Sequence, residues 1–190
     1  MILAVDVGNS NTTVGLFNGT GELLFRALLE TSRSKTRDQC AIELLGVFQL
    51  YGADACTVDG AILSSVVPPL TTIFTDAIAR LTGIPPMVVG PGIRTGLNIK
   101  AEIHNQLGSD IVASSVAAIA KYPSPIVMVD MGTATSLSLI VGSVYEGCII
   151  MPGLALALDA LSERAAALPP ISIETASPVG LMGHTTEEAM

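Results

Sequence analysis

The sequence predicts an α/β chain with a mixed sheet in each half, and three observations carry that prediction. First, three strand-like runs follow one another and then helical and strand-like runs alternate. Second, a unit recurs. Val5-Asp6-Val7-Gly8-Asn9-Ser10-Asn11-Thr12 matches Val129-Asp130-Met131-Gly132-Thr133-Ala134-Thr135-Ser136, and both copies are flanked by apolar strands. Third, the 190 residues are 49% hydrophobic and 14% charged, a globular composition with enough chain for a real core.

The elements read as follows. Ile2 to Val7 is a strand and Asn11 to Phe17 a second, with Val14 and Leu16 on one face. "NGTG" (Asn18 to Gly21) is a turn, and "ELLFRALLE" supplies a third strand. "TRDQCAIELLGVFQLYG" has helical spacing through Ala41, Leu44, Leu45 and Phe48. "VDGAILSSVV" is a buried strand that Pro68 and Pro69 stop. "PLTTIFTDAIARLTG" is a helix with proline at its start and Gly83 after its end. "PPMVVG" is a short strand and "PGIRTGLNIK" a loop. "GSDIVASSVAAIAKYP" is a helix with Ser109 or Asp110 at its N-terminus. The second unit then begins at Val127, turns at "GSVYEG" and runs into "CIIM".

Composition also narrows the function. The formal charge is −8 with no Lys/Arg cluster, so no nucleic-acid partner is expected. The uncharged stretch "GAILSSVVPPLTTIFT" is broken by Pro68 and Pro69, so no membrane span is expected. The chain enters a strand at once, without a basic region or cleavage site, which points to a cytoplasmic protein. Cys40, Cys56 and Cys148 are odd in number and irregular in spacing, and read as reduced thiols packed as small hydrophobes. His104 and His184 are isolated, with exposed or structural roles as the default.

The repeated turn has a definite chemistry. Glycine lets backbone approach a ligand, and successive N–H groups in a tight turn make a nest for phosphate oxygens. Asn and Thr side chains add donors. A carboxylate cannot bind phosphate directly, so Asp6 at the strand end calls for a mediating Mg2+. One such turn alone is best read as an ordinary hairpin; two together favour a clamp on a nucleoside triphosphate.

Five segments, "DVGNSNTTVGLF", "GPGIRTGLNIK", "DMGTATS", "GCIIMPGLALALDALSERAAALP" and "GHTTEEAM", occur in the order seen in type III pantothenate kinases, and the chain resembles that family from end to end. The resemblance implies the actin-like ATPase and sugar-kinase fold, with duplicated ribonuclease-H-like domains of mixed sheets flanked by helices. Here they would span 1–121 and 122–190, the second expected to be incomplete because family members continue further. It also implies ATP-dependent phosphorylation of pantothenate to 4′-phosphopantothenate, the first step toward coenzyme A, by a homodimer using Mg2+ and a monovalent cation (K+ or ammonium). By resemblance Asp6, Val7, Gly8, Asn9, Ser10, Asn11, Thr12 and Thr13 form the first phosphate loop. Gly132 and Thr133 meet ATP in the second, and Asp130 is the monovalent-cation ligand. Gly108, Ser109, Asp110 and Ile111 fall where the family has Gly-Ala-Asp-Arg on its substrate, which makes Asp110 the general base. Thr186 falls on a substrate-binding threonine.

Read without the resemblance, Asp110 would be a helix N-cap. Two positions depart from the family. Ile111 replaces an arginine, and Ala101 a tyrosine that usually follows the lysine of "NIK". Isoleucine cannot bind a carboxylate as guanidinium does. Either Arg94 or Lys100 supplies the charge, or the acceptor is another small alcohol, or the chain is a nucleotide-binding relative without kinase activity. "TTEEAM" has a capping-box pattern, Thr185 to Glu188, and reads as the first turn of a helix.

Overall fold

The computed structural model describes residues 1–90, 93–99, 107–172 and 181–190. Lys100, Ala101 and His104, singled out above, lie outside them. The chain divides into two compact units, Met1–Tyr122 and Pro123–Met190.

The first unit opens on β1 (Ile2–Val7), β2 (Asn11–Phe17) and β3 (Leu23–Glu30), an antiparallel meander. Helix α1 (Arg37–Leu50) follows, capped by a Thr36–Gln39 capping box that the sequence reading missed. A single 3₁₀ turn, Ala55–Thr57, leads into β4 (Gly60–Ser65), which lies parallel to β1. Helix α2 (Pro68–Thr82) starts on its two prolines and ends on Gly83 at φ 76°, a left-handed cap open to glycine. Strand β5 (Met87–Val88) runs parallel to β4 and completes the sheet order β3-β2-β1-β4-β5. The segment expected as a loop ends in a two-residue strand, β6 (Asn98–Ile99), and α3 (Ser109–Lys121) closes the unit.

The core lies on one face of this sheet. Leu3, Val5, Val7, Val14, Leu16 and Leu63 are buried there with Cys40, Leu44 and Phe48 of α1 and Leu70, Phe74 and Ile78 of α2. Burial of each such side chain stabilises by about 1.5–3 kcal/mol, and it fixes which strand residues face away from the core. Leu45, on the apolar stripe of α1, is 43% exposed and lines a groove with Ile42, Arg80 and Leu81. Cys40 packs as a small hydrophobe, but Cys56 and Cys148 are exposed, so that expectation holds for one thiol of three.

The second unit repeats the meander with β7 (Ile126–Met131), β8 (Ala134–Val141) and β9 (Val144–Pro152). The expected turn at "GSVYEG" is only Gly142–Ser143, with Gly142 at φ 60°; Val144 to Gly147 already belong to β9. Ile126, Ser138, Ile140 and Tyr145 are buried, with Ser138 Oγ and Tyr145 Oη 2.9 Å apart. Val127, Val129, Met131 and Ile149 are exposed. Helix α4 (Leu154–Arg164) buries Leu158, and the four-residue α5 (Thr186–Ala189) begins at the predicted cap. Thr185 Oγ1 accepts from the Glu188 N–H, but the Glu188 carboxylate accepts from the His184 N–H rather than from the cap residue. Among the described residues no helix is long and apolar enough to cross a membrane.

Candidate phosphate-binding site

Strand period places the first turn. Asp6 pairs with Thr13 on β2 and with Ser64 on β4. Paired residues share a face, so these three point away from the core side held by Val5, Val14 and Leu63. They sit toward the C-terminal ends of two parallel strands, where α/β sheets bind ligands. The Gly8 N–H donates to Asn11 O at 3.0 Å, which closes the turn around Asn9 and Ser10. A Cβ on Gly8 would lie 3.0 Å from that same oxygen. Asp6, Asn9, Ser10 and Asn11 are exposed, and Thr13 is half-buried.

Two members of the predicted loop are turned away. Val7 is fully buried and its carbonyl accepts from the Val66 N–H. Thr12 is 1% exposed, and its hydroxyl lies 2.8 Å from Thr31 Oγ1. Both alternate onto the core face. They hold the turn rather than present side chains to a ligand.

Asp110 stands at the start of α3, and the N-cap is Gly108 rather than Ser109 or Asp110. The Asp110 Oδ1 accepts from the Ile111 N–H at 2.7 Å, so the carboxylate is oriented along its own turn. The Ser109 hydroxyl does something the sequence did not suggest. It accepts from the Ser65 N–H at 3.0 Å, donates to the Ser65 carbonyl at 3.0 Å and lies 3.1 Å from the Ser64 hydroxyl. Ser109, expected on the substrate, ties the first turn of α3 to the end of β4, next in register to Asp6.

A cation missed by sequence reasoning also belongs here. Arg33 lies between β3 and α1 and donates from a guanidinium nitrogen to Asn9 Oδ1 at 3.5 Å. Arg94 is exposed. Nothing in the sequence signals Arg33, because its neighbourhood arises from the return of β3 beside β2.

The second turn is one residue shorter than the first. Asp130 pairs with Ser136, six positions on, where Asp6 pairs with Thr13, seven on. Ser136 is therefore the counterpart of Thr13, not of Thr12. The Gly132 N–H donates to Ala134 O at 3.0 Å, leaving Thr133 exposed at the tip. Gly153, the cap of α4, donates its N–H to Thr133 O at 3.0 Å. A Cβ there would fall 2.6 Å from Thr133 O, so only glycine allows this approach. Asp130 is half-buried, and across the strands Ser136 carries a buried hydroxyl without a hydrogen-bond partner. Thr186 is exposed on α5. Among the described residues no three His, Cys, Asp or Glu side chains converge. A cation at either turn would therefore draw in part on hydroxyl, carbonyl, phosphate or water oxygens.

An antiparallel meander turning on an acid and a glycine, present once in each of two α/β units, places the chain in the actin-like ATPase and sugar-kinase class of folds. Two solved structures share that fold. A conserved Campylobacter jejuni protein described as a Baf family transcriptional activator aligns with TM-score 0.54 at 20% identity, over 98% of this chain and 70% of that one. A Sinorhizobium meliloti protein described as a 2-dehydro-3-deoxygalactonokinase aligns with TM-score 0.51 at 13% identity, over 86% and 57%.

Sequence comparison identifies the family. The model for type III pantothenate kinase matches residues 2–190, and the chain belongs to that family. A type III pantothenate kinase from Geobacillus sp. is 41% identical over all of this chain and 73% of its own length. One from Listeria monocytogenes is 39% identical over the same shares.

Proposed function

We propose that the chain transfers the terminal phosphoryl group of ATP to the 4′ hydroxyl of pantothenate. The observation that carries this is the Asp6 turn, exposed at the C-terminal end of β1, in a chain matched by the type III pantothenate kinase model over residues 2–190. The hydroxyl oxygen forms a bond to the γ-phosphorus as the bond to the β,γ-bridging oxygen breaks, and ADP leaves. The hydroxyl proton passes to the Asp110 carboxylate, whose Oδ1 is fixed by the Ile111 N–H. Ser109 positions that carboxylate by pinning α3 to β4. Gly8 through Asn11 would cradle phosphate oxygens with N–H and amide donors.

The residues present fit Mg2+ at Asp6, an exposed carboxylate with Thr13 and Ser64 on its face. The ion would neutralise phosphate charge. They also fit a monovalent cation, K+ or ammonium, at Asp130, where the Ser136 hydroxyl lacks a partner. Gly132 and Thr133 would meet the nucleotide at the second turn, and Thr186 the acceptor. A cytoplasmic homodimer completes the proposal, on the family resemblance alone.

One observation favours a second acceptor. Ile111 is half-buried and offers no partner to a carboxylate, so an alcohol without one would suit the site. An ADP-coupled assay with ATP, Mg2+ and K+ separates the two. Pantothenate-dependent ADP release supports the pantothenate reading. Release with pantothenol but not pantothenate supports the second, and release with neither removes both.

A further inference from the structure

We propose that Arg33 is a phosphate ligand of the nucleotide site, an inference that rests on the phosphate-binding reading of the first turn. The segment carrying Arg33 is held on both sides. On one side the Thr31 N–H donates to Ser10 O at 2.9 Å, and Thr31 Oγ1 meets Thr12 Oγ1. On the other the Lys35 N–H donates to Ser32 O at 3.2 Å, which closes a tight turn with Arg33 and Ser34 at its apex. The Ser32 and Ser34 hydroxyls lie 2.9 Å apart across it.

Neighbouring cations have other work. Lys35 Nζ donates to the Glu30 carbonyl at 2.5 Å and pairs with Glu43 at 2.9 Å, and it is only 16% exposed. Arg37 lies 3.5 Å from Asp38. Arg33 is exposed, and its guanidinium reaches Asn9, the tip of the phosphate turn, at the long limit of a hydrogen bond. A guanidinium carries five donors in a planar fork matched to phosphate oxygens. One long contact to a neutral amide leaves most of that capacity unused. The turn below it carries Asn9 and Ser10, with Asp6 at the strand end, and no positive charge of its own. In a chain of net charge −8 a nucleotide whose phosphates stay anionic with Mg2+ bound gains from such a partner. Arg33 supplies it from a braced position.

Isothermal titration of the 190-residue chain with MgATP tests this, using Arg33→Ala, Arg33→Gln and Arg33→Lys. Loss of a charge-assisted bond at an exposed site weakens MgATP binding by roughly tenfold in the Ala and Gln variants. The Lys variant recovers part of it, and the salt dependence of affinity flattens in the neutral variants. Melting temperatures without nucleotide stay at the wild-type value. Wild-type affinity and salt dependence in both neutral variants overturn the inference and leave the site standing. A fall in melting temperature that accounts for the weaker binding overturns it too, since Arg33 is then structural. A loss in pantothenate binding with MgATP affinity unchanged assigns Arg33 to the acceptor and overturns it as well. Wild-type protein that binds no MgATP removes the phosphate-site reading and this inference together.

Discussion

Gly153→Ala tests whether the second turn is held by backbone contact. The added methyl carbon would sit 2.6 Å from Thr133 O and 2.8 Å from its carbonyl carbon, and closer still to Gly132 O. Ordinary contact begins at 3.4 Å, so the backbones must part by about 0.8 Å at Thr133 and by more at Gly132. No side chain can rotate away, because the obstacles are main-chain atoms. Overpacking of this kind costs about 1–3 kcal/mol. The 3.0 Å bond from the Gly153 N–H to Thr133 O is lost with it, at about 0.5–1.5 kcal/mol. Together the loss is about 1.5–4.5 kcal/mol, which for a chain of this size lowers the melting temperature by roughly 3–18 °C. Thermal unfolding followed by circular dichroism reads the first effect. Titration with MgATP reads the second, because Thr133 moves with the turn and affinity falls. A Gly153→Ala protein that melts with wild type and binds MgATP equally would refute the close approach and the role given to this turn.

Three further outcomes follow from the same geometry. Asp6→Asn lowers Mg2+-dependent ATP affinity in a folded protein; equal Mg2+-dependent affinity with and without the acid removes Asp6 from metal binding. Asp110→Asn lowers turnover by about 10²–10⁴-fold with ATP affinity retained, and stability barely changes because Gly108 is the cap; full turnover in the variant dismisses Asp110 as base. Burial, then the Glu43 charge, raises the Cys40 thiol above its ordinary value of 9.0, against a lesser opposing effect from Lys35. The folded state therefore keeps the proton longer than the unfolded chain. This contribution is complete below pH 9.0 and is lost as pH climbs through the raised folded value. Denaturant titrations across that alkaline range should show the loss in wild type and a shallower one in Cys40→Ala; identical slopes count against it.

Local signals were legible and tertiary approaches were not. The Asp6 turn could be read because an acid, a glycine and a polar run interrupt strong strand periodicity. Period two also places Thr12 with Val14 and Leu16 on the core face, so its burial was available from the sequence, had alternation been followed through the polar run. The shorter second turn was hidden by aligning on the acids, since only strand register shows that Ser136 answers Thr13. Ser109, Gly153 and Arg33 acquire their contacts from elements distant in sequence: β4 for Ser109, the β7–β8 turn for Gly153 and the β1–β2 turn for Arg33. No local pattern distinguishes them. The apolar stripe of α1 includes exposed Leu45 because a 3.6-residue stripe is wide enough to take in a groove-lining position.

Phosphorus NMR of the chain incubated with ATP, Mg2+, K+ and pantothenate follows pantothenate phosphorylation without a coupling enzyme. A new phosphomonoester resonance should grow with ADP in equal amount, only when pantothenate is supplied, and about 10²–10⁴-fold more slowly with Asp110→Asn. ATP binding without any pantothenate-dependent phosphomonoester would contradict it.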